Sequence, residues 1–312
     1  MTAIIILNWN GAKETLACLE SLEKVQGTFF VVLADNGSTD DSVKRISDYI
    51  QESPLDIRFL KLDKNYGFAG GNNRAVTYAA QYSPDSYLLL NNDTEATPEF
   101  LVRLNDFRKS DPGYHVLTPR INYFYDKGRI WNCGGVQRLG FRRYLYAGAD
   151  ESKITGKKPF RIGFVTGCAL FFTPDVIYDG YTPFTDRFFF GEEDFDFSLR
   201  MKKRGIRMAC VTDSVIYHKV SVAGDKMIRS GKVYLHLLNR YIDIRTSYSA
   251  LFLMSWRMAA YFFSVRALKK AFGSRVEAKK KYKMLIQDMR SRDRVDRSVF
   301  ESLVIKGDYF NE

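Results

Sequence analysis

The sequence predicts an α/β fold in which a mostly parallel sheet is flanked by helices and followed by a helical C-terminal extension. Through residues 1–98, short apolar runs alternate with segments of helical periodicity, the pattern of strands and helices joined by short connections. The 312-residue chain is 46% hydrophobic and contains 24 Phe and 19 Tyr, which excludes a disordered class. From about residue 225 the chain becomes helical in pattern, aromatic and basic.

Four apolar runs in the first part of the chain are predicted strands. Each ends where polar or glycine-containing turn residues begin, as expected for strands buried in a sheet. The predicted strands cover residues 3–7, 29–34, 57–62 and 87–90, and later ones cover 116–118, 164–172 and 208–211.

Helical spacing of apolar residues predicts the elements between these strands. The predicted helices cover residues 14–24, 40–51, 74–82 and 195–204. We expect Ser38 or Thr39 to cap the second helix. We place His115 on a loop and His236 on a helix, and interpret both as structural.

The basic charge lies in the last quarter of the chain. Residues 226–312 carry 19 Lys and Arg against 8 Asp and Glu, which accounts for the whole net charge of +11, whereas residues 1–225 carry 28 of each. A neutral body with a basic C-terminal region predicts an anionic partner for that region. We place a soft boundary near Gly224 and Asp225.

The four cysteines are far apart in the sequence. Cys18, Cys133, Cys168 and Cys210 form neither a CxxC pair nor a zinc-binding spacing, so we expect reduced thiols in a cytosolic environment. The first predicted strand begins at Ala3 without a preceding basic segment, so we expect no signal peptide.

A polar segment follows the fourth predicted strand. The apolar run stops in Asn91, Asn92 and Asp93, and in open α/β sheets ligands bind beyond the carboxyl ends of the strands. A carboxylate at this place suits a hard cation such as Mg²⁺ that bridges to a phosphate. An Asx turn with a helix N-cap is an equally good interpretation of these residues alone.

Two other strand ends predict a nucleotide pocket. Asn8 ends the first predicted strand and Asp35 ends the second, so their side chains are expected side by side, where the carboxylate can accept a hydrogen bond from a base. Asp-Asn-Gly-Ser is also a strong turn sequence, and the pattern alone leaves both readings open.

A Gly-rich stretch precedes the third predicted helix. We expect Gly67 to Gly71 to form a loop, with Asn72 and Asn73 opening the helix and Arg74 within reach of a phosphate. The alternative is a helix entry with a flexible turn.

The second acidic cluster opens the helix predicted near residue 195. Glu192, Glu193 and Asp194 are more acids than a helix N-terminus needs, although acids there are favourable. A carboxylate of this cluster suits a general base that takes a proton from an attacking hydroxyl. The alternative is a cap that compensates the helix dipole.

Six stretches in order resemble the family 2 glycosyltransferases with the GT-A fold, close to the bacterial rhamnosyltransferase-like branch. They cover residues 4–11, 34–40, 65–73, 90–94, 164–169 and 191–200. The resemblance implies a GT-A domain over residues 1–224, with a nucleotide-sugar half at about 1–98 and an acceptor half at about 99–224. A basic, aromatic helical region at 225–312 follows.

The resemblance also implies residue roles. Asp93 and His218 would bind Mn²⁺ or Mg²⁺, Asp194 would be the catalytic base with Glu193 beside it, and Trp131 and Glu192 are the acceptor candidates. The nucleotide-sugar-binding candidates are Leu7, Asn8, Asn10, Gly11, Asp35, Asn65, Gly67, Gly71, Asn72, Arg74, Asn91 and Asn92.

The implied reaction is an inverting, metal-dependent transfer of a sugar in cell-surface polysaccharide synthesis. The expected donor is dTDP-rhamnose or a UDP-sugar, and the acceptor is a hydroxyl of a glycan or polyprenyl-linked glycan. A sugar nucleotidyltransferase is disfavoured because no basic Gly-rich loop follows the first predicted strand. A nucleic-acid-binding protein is disfavoured because residues 1–225 are neutral. An inactive relative is disfavoured by the retained Asp93, Asp194 and His218.

The C-terminal region contains an apolar segment at residues 251–263. Arg257 interrupts it, and it is too short and too charged for a transmembrane helix. It suits an interfacial helix, so we expect residues 250–283 to contact an anionic membrane surface, which places the protein at the cytoplasmic face. Packing on the catalytic domain or on a second subunit of a homo-oligomer is equally open.

Overall fold

The computed structural model describes residues 1–177, 180–220 and 226–310, apart from the side chains of residues 226–229. The chain divides into two compact units. The first unit comprises residues 1–184 and 197–220, and the second comprises residues 185–196 and 221–312. The predicted boundary at Gly224 and Asp225 lies outside the described residues, and the predicted domain limits stay predictions.

The first unit is an α/β structure. Its strands are β1 Thr2–Asn8, β2 Phe29–Asp35, β3 Ile57–Lys61, β4 Ser86–Asn91, β5 Thr94–Ala96, β6 Tyr114–Tyr123, β7 Ile130–Asn132, β8 Gly135–Arg138, β9 Phe141–Tyr144, β10 Phe160–Ile162, β11 Ala169–Phe172 and β12 Arg207–His218. Its helices are α1 Ala12–Leu22, α2 Ser42–Glu52, α3 Gly67–Ala80 and α4 Phe100–Ser110, and α5 Glu193–Lys203 begins in residues grouped with the second unit.

Ten of the described strands form one mixed sheet. Its main order is β10-β12-β6-β11-β4-β1-β2-β3, with β5 paired to β12 and β7 paired to β6. Strands β4, β1, β2 and β3 are all parallel, as are β6 and β12, whereas β11 runs antiparallel between β4 and β6. The predicted α/β class with a mostly parallel sheet is confirmed.

Apolar side chains cover both faces of the sheet. Along β1, Ala3 and Ile5 point to one core and Ile4 and Ile6 to the other, and all four are fully buried. Helix α3 packs on the first face, while α1, α2 and α4 pack on the second. Burial on both faces explains why these strands read as continuous apolar runs instead of alternating ones.

Helix α3 corrects the predicted Gly-rich loop. The helix begins at Gly67, so Gly67 to Gly71 form its first turn instead of a loop before it. The Oδ1 atom of Asn65 accepts a hydrogen bond from the Gly67 N–H at 2.8 Å and so satisfies a free donor at the start of the helix. Close packing of Gly71 on Leu7 then favours the helix despite the low helix propensity of glycine.

Three smaller predictions about the first unit were wrong. The N-cap of α2 is Asp41, without a side-chain cap hydrogen bond, so neither Ser38 nor Thr39 caps it. The strand predicted at 164–172 is shortened to β11, since residues 165–168 have no strand pairing. His115 lies in β6 and not on a loop.

The described part of the second unit is mainly helical. It contains α6 Lys226–Ser247, α7 Ala250–Phe272, α8 Arg275–Ser291, the short α9 Arg297–Phe300 and a π-helical segment Glu301–Lys306. Ser249, Ser274 and Asp296 cap α7, α8 and α9 through side-chain hydrogen bonds. The predicted helical extension is confirmed. No helix among the described residues has both the length and the apolar character needed to cross a membrane.

All four cysteines are buried and free, as predicted from their spacing.

Candidate active site

A cavity of about 130 Å³ lies at the carboxyl ends of β1 and β4 in the first unit. The parallel register of these strands places Leu7 beside Asn91. The lining residues are Leu7, Phe68, Asn72, Leu89, Leu90, Asn91, Asn92, Asp93 and Gly167. Five of them are predicted nucleotide-sugar or metal residues, whereas no role was predicted for Phe68 or Gly167, although both lie in the motif stretches.

Backbone pairing brings Asp93 and His218 together. Strand β5 runs antiparallel to β12 with Thr94 opposite His218, and the Lys219 N–H donates to the Asp93 carbonyl at 2.9 Å. The His218 Nε2 atom lies 3.1 Å from Asp93 Oδ1. The two predicted metal ligands, 125 residues apart in the sequence, are therefore neighbours at one end of the sheet.

Asp93 and His218 form a carboxylate–imidazole pair. Asp93 Oδ1 is buried and has no hydrogen-bond partner among the described residues, although His218 Nε2 lies 3.1 Å away. Burial alone would lower the pKa of His218, but the neighbouring Cys168 and Asp93 outweigh it and raise the pKa to about 10. The imidazole is therefore protonated at neutral pH, and a divalent cation bound by this carboxylate and imidazole would have to displace that proton.

The protein would supply only part of the coordination shell. Among the described residues, no three His, Cys, Asp or Glu side chains come together as a metal-binding group. Two protein ligands suit a cation such as Mg²⁺ that takes its remaining ligands from phosphate oxygens and water. Trp131, an acceptor candidate, packs edge to face on His218 with ring centroids 4.4 Å apart.

A hydrogen-bonded chain links the ends of β4, β1 and β2. Asn92 donates to Thr15 at 3.0 Å, Thr15 donates to Asn8 at 2.8 Å, and Asn8 donates to Asp35 at 2.8 Å. Asp35 is 2% exposed and also accepts from the Ser38 hydroxyl and N–H. The predicted juxtaposition of Asn8 and Asp35 is present, and the chain fixes both side chains.

A second set of contacts joins the turns after β2 and β3. The Asn36 side chain donates to Asn65 Oδ1 at 3.0 Å and to the Gly67 carbonyl at 3.1 Å, and it accepts from the Tyr66 N–H. The Asn65 oxygen is therefore used in holding the start of α3. No binding or structural role was predicted for Asn36, although it is the second residue of the Asp-Asn-Gly-Ser turn.

The remaining nucleotide-sugar candidates support these turns. Asn10 Oδ1 accepts from the Thr39 N–H at 2.8 Å. A Cβ at Gly11 would stand 3.1 Å from Asn92 Nδ2, and a Cβ at Gly71 would stand 2.7 Å from a Leu7 methyl. The exposed Arg74 guanidinium stacks on the Tyr66 ring at 3.4 Å. The binding roles of these residues stay predictions.

The acidic segment that opens α5 belongs to the second unit. Gly191 and Glu192 both have left-handed backbone conformations, with φ of 91° and 69°. Glu193 Oε1 accepts from the Gly191 N–H at 2.6 Å, and Asp194 is half-buried in the first turn of α5. Burial, with Asp194 and Glu192 nearby, raises the pKa of Glu193 to about 8.

Side chains of α6 hold this segment in place. Asn239, which is fully buried, donates to the Phe190 carbonyl at 3.0 Å and to the Gly191 carbonyl at 2.8 Å. Arg240 Nε donates to Glu192 Oε2 at 2.6 Å, and His236 Nδ1 lies 3.5 Å from Glu192 Oε1. Glu192, an acceptor candidate, is thus already bound to the protein through Arg240.

A further ion pair fixes both ends of the segment. Arg187 Nη2 lies 2.6 Å from Asp196 and 3.3 Å from Asp243 of α6. Asp243 is fully buried and its Oδ2 atom accepts no hydrogen bond from the described residues, and burial beside Asp196 raises its pKa well above the usual range. No role was predicted for Asn239, Arg240 or Asp243, because their partners lie about fifty residues away in the sequence.

Known structures share this fold. The chain is similar to TarS residues 1–349 of S. aureus, with a TM-score of 0.61 and 16% identity over 98% of this chain and 81% of that one. It is also similar to the mannosyltransferase PcManGT of Pyrobaculum calidifontis, with a TM-score of 0.60 and 16% identity over 100% of this chain and 88% of that one. These likenesses confirm the predicted GT-A fold.

Sequence comparison gives the family. The chain is 26% identical over 252 residues to the low-salt glycan biosynthesis hexosyltransferase Agl10 of Haloferax volcanii, covering 79% of this chain and 76% of that protein. Residues 3–174 match the model of Glycosyl transferase family 2. Since this match covers more than half of the chain, the protein belongs to glycosyl transferase family 2.

Proposed function

We propose that this glycosyltransferase moves a sugar from a nucleotide-sugar donor to a hydroxyl of a glycan or polyprenyl-linked glycan, with inversion and with help from Mn²⁺ or Mg²⁺. One observation carries the proposal: the Asp93–His218 pair lies beside the cavity at the strand ends, where Leu7, Asn72, Asn91 and Asn92 converge. Family membership leaves the nucleotidyltransferase and nucleic-acid alternatives without support.

The donor proposal rests on the polar strand ends. Asp35, fixed by Asn8 and Ser38, would accept from the nucleotide base, and Asn91 and Asn92 would contact the sugar-phosphate part. TarS has been crystallised with UDP-GlcNAc, and PcManGT with GDP-Man and Mn²⁺. These complexes support a nucleotide-sugar donor, and our expectation for this chain is a UDP-sugar or dTDP-rhamnose.

Asp93 and His218 would hold the divalent cation. When bound, such an ion stabilises negative charge on departing phosphate oxygens. The buried Asp93 oxygen that lacks a hydrogen bond supports this role, since a cation would satisfy it. Backbone pairing of β5 with β12 holds Asp93 and His218 close together, which supports a shared role in binding the ion.

Asp194 is our proposed general base. It would take the proton from the acceptor hydroxyl as that oxygen attacks the anomeric carbon from the face opposite the leaving diphosphate, and one displacement inverts the configuration. Glu193 is less suited to this role. Its raised pKa keeps the carboxyl group protonated at neutral pH, and a neutral carboxyl group is too weak a base to take the proton from the hydroxyl.

We place the reaction at the cytoplasmic face of the membrane, in cell-surface polysaccharide synthesis. The four buried, reduced cysteines suit a reducing compartment. The hexosyltransferase relative acts in glycan biosynthesis, as its name states, which supports a glycan acceptor for this chain.

The Asp194→Asn variant tests the proposal. Loss of a general base lowers the rate of transfer by about 10²- to 10⁴-fold, while the isosteric amide leaves donor binding unchanged. The measurements are nucleoside diphosphate release with acceptor glycans and donor affinity by calorimetry. The control is Asp186→Asn, because Asp186 is another aspartate and lies six residues before Glu192. Unchanged turnover in Asp194→Asn would remove Asp194 as the base.

A further inference from the structure

Helix α7 carries apolar side chains on its exposed face. We call this set the apolar stripe, and it consists of Leu251, Met254, Met258 and Phe262. Their i, i+3, i+7, i+11 spacing places them along one side of the helix. Their exposed fractions are 77%, 61%, 72% and 75%, and the neighbouring Phe263 is 69% exposed.

The opposite face of the same helix already serves the core of the second unit. Its buried residues are Trp256, Ala260, Ser264 and Leu268. The Ser264 hydroxyl lies 3.0 Å from the Tyr241 hydroxyl of α6, and Trp256 packs edge to face on the Tyr241 ring. Helix α7 is therefore held through one face, and the apolar stripe is not needed for its packing. Contiguous exposed apolar residues of this kind mark an interaction surface.

Exposed basic residues follow the apolar stripe along α7 and α8. Arg266, Lys269 and Lys270 are exposed in the last turns of α7, and Lys279 and Lys280 are exposed on α8. Residues 250–291 contain ten Lys and Arg against two acids, Glu277 and Asp288. A partner for this surface must accept apolar side chains and carry negative charge.

A groove beside the stripe contains a cationic group. It has a volume of about 410 Å³ and is lined by Met254, Arg257, Met258, Tyr261 and Tyr282. The Tyr261 and Tyr282 rings form one wall, packed edge to face at 5.0 Å. The Arg257 Nε atom is buried and makes no hydrogen bond to the residues that the structure describes. A guanidinium among thioether and phenol groups is suited to a phosphate oxygen from outside the chain.

We propose that α7 lies on an anionic phospholipid surface, with the apolar stripe in the acyl boundary and Arg257 on a lipid phosphate. An apolar face flanked by Lys and Arg is the composition of an interfacial helix, and lysines near the headgroups add attraction to anionic lipid. A second copy of the chain fits less well, because pairing this face with itself would bring two strongly positive surfaces together. The proposal does not depend on the transfer chemistry.

Vesicle co-sedimentation of the full chain tests this surface. The probes are vesicles of phosphatidylglycerol with phosphatidylcholine and vesicles of phosphatidylcholine alone. We expect sedimentation with the anionic vesicles only, and a strong decrease when about 0.5 M salt screens the charges. Met258→Ser with Phe262→Ser should weaken binding by about tenfold or more, since binding follows the apolar area inserted. Arg257→Gln should weaken it further, and Arg257→Lys should restore part of it.

Leu139→Ser is the matched control, because Leu139 is 60% exposed in the first unit and lies outside the stripe. Circular dichroism checks that each variant is folded. Met258→Gln, which introduces a polar side chain of similar size, replaces any stripe variant that does not fold.

Equal sedimentation of the stripe variants and wild type would overturn the proposal, as would no vesicle binding by wild type. A dimer in analytical ultracentrifugation that the stripe variants dissociate would overturn it in favour of a second copy. Nucleotide binding is measured separately, so failure of the proposed function leaves this result readable.

Discussion

At the scale of single residues, the two acids Glu193 and Asp194 are adjacent yet differently placed. Glu193 is 6% exposed and accepts from the Gly191 N–H, whereas Asp194 is half-buried. The raised pKa of Glu193 makes it a neutral group near pH 7. Neighbouring carboxyls with different environments are typical of sites that assign separate roles to two acids.

Glu193 makes stability depend on pH. In the unfolded chain its carboxyl titrates near 4.5, and in the folded chain near 8. Between these values the folded state binds more protons, so the free energy of unfolding falls as pH rises from about 4.5 to about 8. We expect Glu193→Gln to melt close to wild type at pH 5 and several degrees above it at pH 8.5. Scanning calorimetry at the two pH values measures this, and an equal difference at both would contradict it.

Residue positions were predictable where strands end in polar turns. Asn8 and Asp35 follow apolar runs, and parallel pairing then dictates that they meet. The proximity of Asp93 and His218 was predicted only from family resemblance, because no local sequence pattern predicts that β5 pairs with β12. The hydrogen bonds that Thr15, Asn36 and Ser38 make around the cavity were not predicted, because such contacts produce no periodic pattern in the sequence.

At the scale of elements, α6 positions the acidic segment. Asn239 uses both protons of its amide on the Phe190 and Gly191 carbonyls. Asn239→Ala would leave two carbonyls without a donor, at a cost of about 1–3 kcal/mol. We expect the rate of transfer to fall about tenfold or more with donor affinity unchanged, measured by steady-state kinetics and calorimetry. Asn105→Ala is the control, a half-buried Asn that donates to the Leu101 carbonyl. Equal effects of the two variants would contradict a positioning role for Asn239.

Gly231 allows α6 to pack closely on the π-helical segment Glu301–Lys306. A Cβ at this position would stand 1.8 Å from the Leu303 carbonyl oxygen, a backbone atom that cannot simply rotate away. Overpacking of this kind costs about 1–3 kcal/mol or more. Gly231→Ala should therefore lower the melting temperature by several degrees, whereas Gly128→Ala, with no atom within 4 Å of its Cβ position, should not. Equal melting temperatures would show that the helices adjust freely.

The helices and strands that could be predicted are those whose buried side chains form a regular apolar pattern in the sequence. Strands β1 to β4 and helix α1 follow from apolar runs and helical spacing. The start of α3 was not predicted because three glycines in the first turn of a helix contradict local propensity, which the tertiary packing of Gly71 on Leu7 overrides. The role of α6 was not predictable, because the hydrogen bond from Arg240 to Glu192 spans 48 residues.

At the scale of the whole molecule, net charge is distributed unevenly between the part of the chain with the cavity and the C-terminal part. Residues 1–225 are neutral overall and contain the cavity and the Asp93–His218 pair, whereas residues 226–312 hold the whole net charge of +11. Because α6 holds the acidic segment while α7 presents the apolar stripe, the second unit would serve both the base and the membrane surface. Deleting the C-terminal helices would therefore remove the α6 contacts to the acidic segment as well as the proposed membrane-binding surface.

We propose that the first unit binds a nucleotide sugar together with a divalent cation, and thermal stabilisation by these ligands measures such binding. Wild type and Asp93→Ala are melted with UDP-, dTDP- and GDP-sugars, each with Mn²⁺, with Mg²⁺ or with EDTA. A ligand at about a hundred times its Kd adds about 2.7 kcal/mol of stability, enough to raise the melting temperature by several degrees. We predict such a rise for one nucleotide class, with metal and in wild type only. No rise with any donor, or an equal rise in EDTA and in Asp93→Ala, would show that the first unit does not bind a nucleotide sugar through a metal at Asp93.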